Sequence, residues 1–429
     1  MTTDRHVKSD AVRAALLAKG VVMPDPAAVH VAADVDPQRV SGDGVVLHPG
    51  TRISGAKTVI SAGVHLGTEG PATIRDVRLG ANASIASGYA VNSVLLEGAS
   101  LGSGAHVRDG CLLEEQASVA HTVGLKQTIL LPFVTLGSLI NFCDCLMSGG
   151  RSRSDHSEVG SSYIHFNFTP DGDKATPSLF GDVCHGVLLD QPPVFLGGQG
   201  GSVGPLTVGF GSVIAAGSVL RSDVAAGKLV VVGAPPAMIV DRTPGEYRAL
   251  ARSVAKNLRF LGELTALEAW HRHVRAPFFA AVELGSEVGD GALDMIALAR
   301  AEREKRLAAM VAKAPAGHAT AGEIAAGLDA VCRVVATAVP PPPPGVVDGL
   351  LAQAGRPRLS GEPSRPWMAL PDRGSSLGSP AHSTSRGSRS GPHCRQSVGC
   401  PARRSCDSIR PQGCATRNTP AHRRRFTAY

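Results

Sequence analysis

A chain of 429 residues with 43% hydrophobic but only 4% aromatic residues and 50 glycines is long enough for two or three domains, and must build its core from small and branched aliphatics. The net charge of +7 misleads: of 43 basic and 36 acidic residues, Gly355–Tyr429 hold 14 Arg, no Lys and 3 acidic residues, leaving 29 basic against 33 acidic elsewhere. That mildly acidic body argues against nucleic acid as a partner, no apolar run is long enough to span a membrane, and Met1–Asp10 lacks the apolar stretch of a signal peptide, so a cytoplasmic protein is expected.

The first 39 residues read as a stub with one short helix over Asp10–Lys19. From 40 to 242 a period of six takes over. Leu101, Val107, Leu113, Val119, Leu125 and Leu131 are each six apart, as are Leu79, Ile85 and Val91, and Val208, Ile214 and Leu220. Gly or Ala often follows the aliphatic, as in Leu66-Gly67, Leu101-Gly102 and Ile214-Ala215. Neither an amphipathic helix nor an alternating strand has this period. It describes an all-β solenoid, a left-handed parallel β-helix of hexapeptide repeats, in which three strand-and-turn faces close a coil of about eighteen residues. The repeat breaks at 148–182 and 192–204, where loops leave the coil.

Over 243–338 the spacing changes to that of a helical extension. Leu250, Val254, Leu258, Leu261, Leu264 and Leu267 share one face of a helix ending near Pro277, with further helices over Leu293–Lys313 and Ala321–Ala338. Residues 339–429 are a Pro-rich spacer and an Arg-, Ser-, Pro- and Cys-rich tail with no apolar period, expected to be disordered. Its abrupt composition suits an out-of-frame translation of a GC-rich gene better than a nucleic-acid arm. Cys394, Cys400, Cys406 and Cys414 lie there; elsewhere only Cys143 and Cys145 are close. No spacing suits zinc or a disulfide framework, and His106 and His121, fifteen apart, do not change that, so no metal is expected.

The densest polar stretch is Arg151–Asp182, with Arg151, Arg153, His156, His165, Asn167, Asp171 and Lys174. A histidine that takes a nucleophile's proton, amide donors for an oxyanion and cations for a phosphate make a set suited to acyl transfer. His165 alternates with Ile164 and Phe166, which points it outward from a strand; Asp171-Gly172 is first a turn signal, and Lys174 a loop lysine. Asp155-His156, Asn167-Phe168, Asp171-Gly172, Lys174, Ser178 and Phe180-Gly181-Asp182, with Val208–Val224 downstream, resemble the acetyltransferase half of the bifunctional glucosamine-1-phosphate acetyltransferase / N-acetylglucosamine-1-phosphate uridyltransferase family. The resemblance covers about 200 residues, and its specific part is Asp155–Asp182.

What the resemblance implies is an acyltransferase with acetyl-CoA as co-substrate, acting on a sugar phosphate or sugar nucleotide, and assembled as a homotrimer. By it His156 is the general base, Asn167, Phe168, Asp171 and Lys174 line the sugar site, and Ser178 and Ala216 meet the coenzyme. The family's phosphate-holding Arg and Lys have no counterpart in Leu130–Phe133 or Cys143–Met147, and Arg151 and Arg153 are the candidates to replace them. The uridyltransferase half, with its glycine loop, has no counterpart, so a pyrophosphorylase reading rests on the family name alone. The remaining alternative is a non-catalytic sugar-nucleotide-binding or scaffold protein of the same fold.

Overall fold

A coil with a period of six has room on each face for a strand of two or three residues, one of them pointing inward. The computed structural model describes residues 2–349 except 171–173, 243–248, 315–318, 338 and 344, and it is a parallel β-solenoid followed by helices. The basic tail from Gly355, expected to be disordered, lies outside the described residues. Among these, ten strands form one face of the solenoid and sixteen cover the other two. The sixteen count as one sheet because Gly124–Leu130 and Asn141–Met147 run through the corner from the first face to the second.

Each face stacks its inward residues in register. Val31, Ile53, Ile74, Ala90, Val107, Leu125 and Phe142 line the first. Ile60, Leu79, Leu95, Leu113, Leu130, Met147 and Phe180 line the second. Leu47, Leu66, Ile85, Leu101, Val119 and Leu136 line the third. All are buried in one continuous core, where each fully buried aliphatic side chain contributes about 1.5–3 kcal/mol. Corners between the first and second faces take left-handed backbone at Asp76, Asn92 and Asp144, with φ of 53°, 40° and 57°, residue types that tolerate it. The glycine that follows several third-face aliphatics has a steric cause: a Cβ at Gly197 would lie 2.4 Å from the Ala216 nitrogen of the next coil.

Stacking begins before the period does. Val22 bridges Val46, His30–Val31 pairs with Arg52–Ile53, and Val40 bridges Ile60, so a first coil lies within the stretch read as a stub. Its repeat is hidden because 3-10 turns at Pro26–Ala28 and Pro37–Arg39, capped by Asp25 and Asp36, replace ordinary corners. Helix α1 spans Thr2–Lys19 rather than starting at Asp10, and its Leu16 is fully buried in the solenoid core.

A short α2 (Val183–Gly186), capped by Asp182, leaves the solenoid before its last coils. After the solenoid come α3 (Leu250–Ala269), a π-helical turn at Trp270–Arg275, α4 (Ala276–Phe279), α5 (Gly285–Ala312) and α6 (Ala319–Ala336). Helix α5 starts eight residues before the expected Leu293, because Gly285, Gly289 and Gly291, which read as loop, serve close packing. A Cβ at Gly291 would lie 2.6 Å from the Arg78 side chain. The aliphatic stripe of α3 finds its partner within the chain. Phe260, Leu264 and Leu267, with Val288, Ala292, Met295 and Ile296 of α5, cover the second face's outward residues Val59, Val94, Leu112, Ile129, Leu146 and Leu179.

Buried ion pairs fasten that cover. Glu114 and Glu115, at a corner of the solenoid, meet His271 and Arg275 of the π-helical turn. Glu114 Oε1 accepts from His271 Nε2 (2.6 Å) and Arg275 Nη1 (3.1 Å), while Arg275 Nη2 reaches Glu115. All four residues are at most 4% exposed. Arg303 of α5 pairs with Asp144 at 2.6 Å, and at the exposed edge of the cover Arg78 pairs with Asp294 at 2.5 Å.

Candidate active site

The solenoid distributes the candidate residues over three corners of the coil, the polar stretch itself over two. Arg151, Arg153 and His156 leave between the second and third faces, in a small loop closed by the Ser152–Asp155 bridge. Its base is fixed by buried Ser157, whose hydroxyl donates to the Gly149 carbonyl and accepts from the Val194 amide (2.9 Å). Asn167, Phe168 and Lys174 sit between the first and second faces, and Ala216 between the third and first. Asp171 lies outside the described residues. The His156 and Asn167 loops therefore flank opposite edges of the helix-covered face, and within one chain these residues do not form a single pocket.

At the first of these corners the two arginines differ in what they have free. Arg151 pairs with Asp155 (2.6 Å) and donates to the Asp190 carbonyl (3.3 Å), yet half of its side chain is exposed. Arg153 is bound into the fold, donating to the carbonyls of Gln116 (2.7 Å) and Phe133 (3.2 Å) and to the Thr135 hydroxyl. His156 is half-buried, and its Nδ1 is buried without a hydrogen-bond partner.

The second corner corrects one expectation outright. His165 points into the core rather than outward, at 4% exposure, in register with Ser202 of the next coil. Both ring nitrogens are used. Nδ1–H donates to the Cys143 carbonyl (2.6 Å), and Nε2 accepts from the Ser178 hydroxyl (2.7 Å), which itself accepts from the Leu206 amide (3.2 Å). The ring also packs edge-on against Phe180. Ser178 is therefore fully buried and its hydroxyl spent inside the coil, not offered to a coenzyme. Asn167 is exposed and its Oδ1 accepts from Thr176 (2.6 Å), Phe168 is 75% exposed, and Lys174 is exposed. Ala216 is also exposed.

Burial drives the His165 pKa down from 6.5 to about 4; the Cys143 carbonyl opposes the shift and Arg303 adds to it. A base whose folded value is depressed holds its full stabilisation above 6.5 and loses it progressively as pH falls toward 4. The melting temperature should therefore decline over that window. In His165→Asn, which keeps a donor for the Cys143 carbonyl but does not titrate, the decline should be smaller. Equal slopes in wild type and variant would show that His165 does not carry the effect.

No family model matches the chain. It is 30% identical to the bifunctional protein GlmU of Nocardia farcinica over 258 residues, 59% of this chain and 46% of that protein. It is 29% identical to that of Kineococcus radiotolerans over 216 residues (50% and 39%) and 26% to that of Corynebacterium glutamicum over 243 residues (56% and 45%). The chain thus spans less than half the length of these curated relatives. The β-solenoid is consistent with the acetyltransferase half of that family.

Proposed function

We propose that the chain is an acyltransferase of UDP-N-acetylglucosamine biosynthesis, taking an acetyl group from acetyl-CoA to a sugar phosphate or sugar nucleotide. The observation that carries this reading is the similarity to GlmU proteins in a chain folded as a β-solenoid. His156, half-buried on the loop between the second and third faces, is the residue assigned as general base. Asn167, Phe168, Asp171 and Lys174 would hold the sugar, Arg151 the phosphate that Arg153 is too engaged to take, and the corner at Ala216 the coenzyme. Acetyl-CoA enters as co-substrate.

Three groups at three corners cannot converge in one chain, but a three-fold arrangement brings a corner of each chain against a different corner of the next. A homotrimer with sites between subunits is the assembly proposed, since such head-to-tail contacts close into rings. Light scattering should give three times the chain mass at micromolar concentration, and a monomer would refute the interfacial site.

The direct test is calorimetry with acetyl-CoA and with UDP-N-acetylglucosamine. Binding of acetyl-CoA, followed by acetyl transfer to an amino-sugar phosphate, is the expected result. Tight sugar-nucleotide binding with no affinity for the coenzyme would make the chain a binding module instead.

A further inference from the structure

The first face of the solenoid carries an outward column of residues with a gap near its middle. Its residues run in register as Tyr89, His106, Gly124 and Asn141. Tyr89 and His106 already stack, with ring centroids 5.2 Å apart and planes 29° from parallel. The next rung is Gly124, and a concavity of about 460 Å³ opens there between His106, Arg108 and Asn141.

Nothing in the backbone demands glycine at this rung. Gly124 is not among the positive-φ residues, and a Cβ would meet its nearest atom, Asn141 Oδ1, at an ordinary 3.5 Å. What the missing side chain provides is space. His106 and Asn141 stand two rungs apart, roughly 9.6 Å at ordinary strand spacing. A planar ring needs roughly 3.5–4 Å on either side, so one ring fits as the next member of the stack. Two residues further along the chain, Arg108 is exposed, and Lys126 is half-buried on the neighbouring rung. Among the described residues, Arg108 Nη2 makes a long contact to Cys143 Sγ at 3.7 Å. The nearby carboxylate of Asp144 is taken by Arg303 (2.6 Å). Two cations a rung apart can close on one phosphate.

We propose that this slot binds a nucleoside phosphate, its base held between the His106 ring and the Asn141 amide over Gly124, and its phosphate by Arg108 and Lys126. The same chemistry is carried by the UDP of a sugar nucleotide and by the ADP arm of coenzyme A. The slot lies on the first face, and its last rung, Asn141, is in register with Ile164 of the strand that leads into Asn167.

The test is calorimetric titration of the full chain with UDP, ADP and inorganic phosphate. Both nucleotides should bind, inorganic phosphate at least ten-fold more weakly; a preference for UDP or for ADP tells which source the slot serves. Gly124→Leu fills the slot on an outward-facing strand position and should weaken nucleotide binding at least thirty-fold with the melting temperature unchanged. His106→Ala, at an exposed position, should weaken it roughly ten-fold by removing the stacking partner, and Arg108→Gln should weaken nucleotide and inorganic phosphate alike. The proposal is overturned by absence of nucleotide binding at millimolar concentration, by inorganic phosphate binding as tightly as either nucleotide, or by His106→Ala leaving affinity within two-fold. Because the titration reads binding and not acetyl transfer, this proposal and the acyltransferase reading fail separately.

Discussion

Arg275→Met should destabilise the protein by about 3–5 kcal/mol, the cost of leaving buried carboxylates without their counter-charge. Glu114 and Glu115 are 1% and 4% exposed, and Arg275 bridges them. Burial alone would push the Glu114 carboxyl up, but Arg275 and His271 together outweigh it and hold it below its ordinary 4.5. A carboxylate depressed in this way adds stability above 4.5 and loses it as pH falls through the lower folded value. Urea unfolding at unchanged m reads the loss as a lower midpoint. Replacing Glu114, Glu115, His271 and Arg275 together by leucine should cost far less than Arg275→Met alone, because no buried charge is then unpaired. A loss below 1 kcal/mol in Arg275→Met would mean that water reaches the cluster and that the helical cover is held by apolar contacts only.

The cluster also marks where sequence reading stops. The aliphatic stripe of Leu250–Leu267 shows that a helix has a face to bury, because side chains three and four apart share that face. Nothing local says that Glu114, 157 residues from His271 and 161 from Arg275, is its polar counterpart. The solenoid was legible for the opposite reason: each coil repeats the same demand for one inward aliphatic and one small corner residue, so the pattern is written many times. Where proline-led turns replace the corners, as at Pro26–Ala28 and Pro37–Arg39, the same coil leaves no period.

The candidate site was legible in composition and not in space. His165 is the middle residue of Ile164–Phe166, the rung occupied by Val107, Leu125 and Phe142 in the coils before it. That register would have placed it inward, but the loop at 148–157 interrupts the period and loses the phase. Arg151–Asp182 reads as one polar segment because it is continuous in the chain. One face of the solenoid runs between its two halves.

If His156 is the base, His156→Ala should lower turnover by roughly two to four orders of magnitude, the contribution typical of positioned proton transfer. The acceptor's amine or hydroxyl gives its proton to the imidazole as it attacks the thioester carbonyl, and the collapsing intermediate expels coenzyme A. The base acts chiefly in the transition state, so the KM for either substrate should change little. Asn167→Ala should raise the acceptor KM instead, since an amide there bonds sugar hydroxyls in ground and transition states alike. Lys174→Ala should matter only for a phosphorylated acceptor. His165→Ala gives the needed contrast: a buried ring with both nitrogens bonded is structural, so its loss should appear first in the melting temperature. Initial rates of acetyl transfer across these four variants, each checked for folding, separate the roles. Full activity in His156→Ala would make the loop at 149–156 a structural turn. The acyltransferase reading would then lose its base.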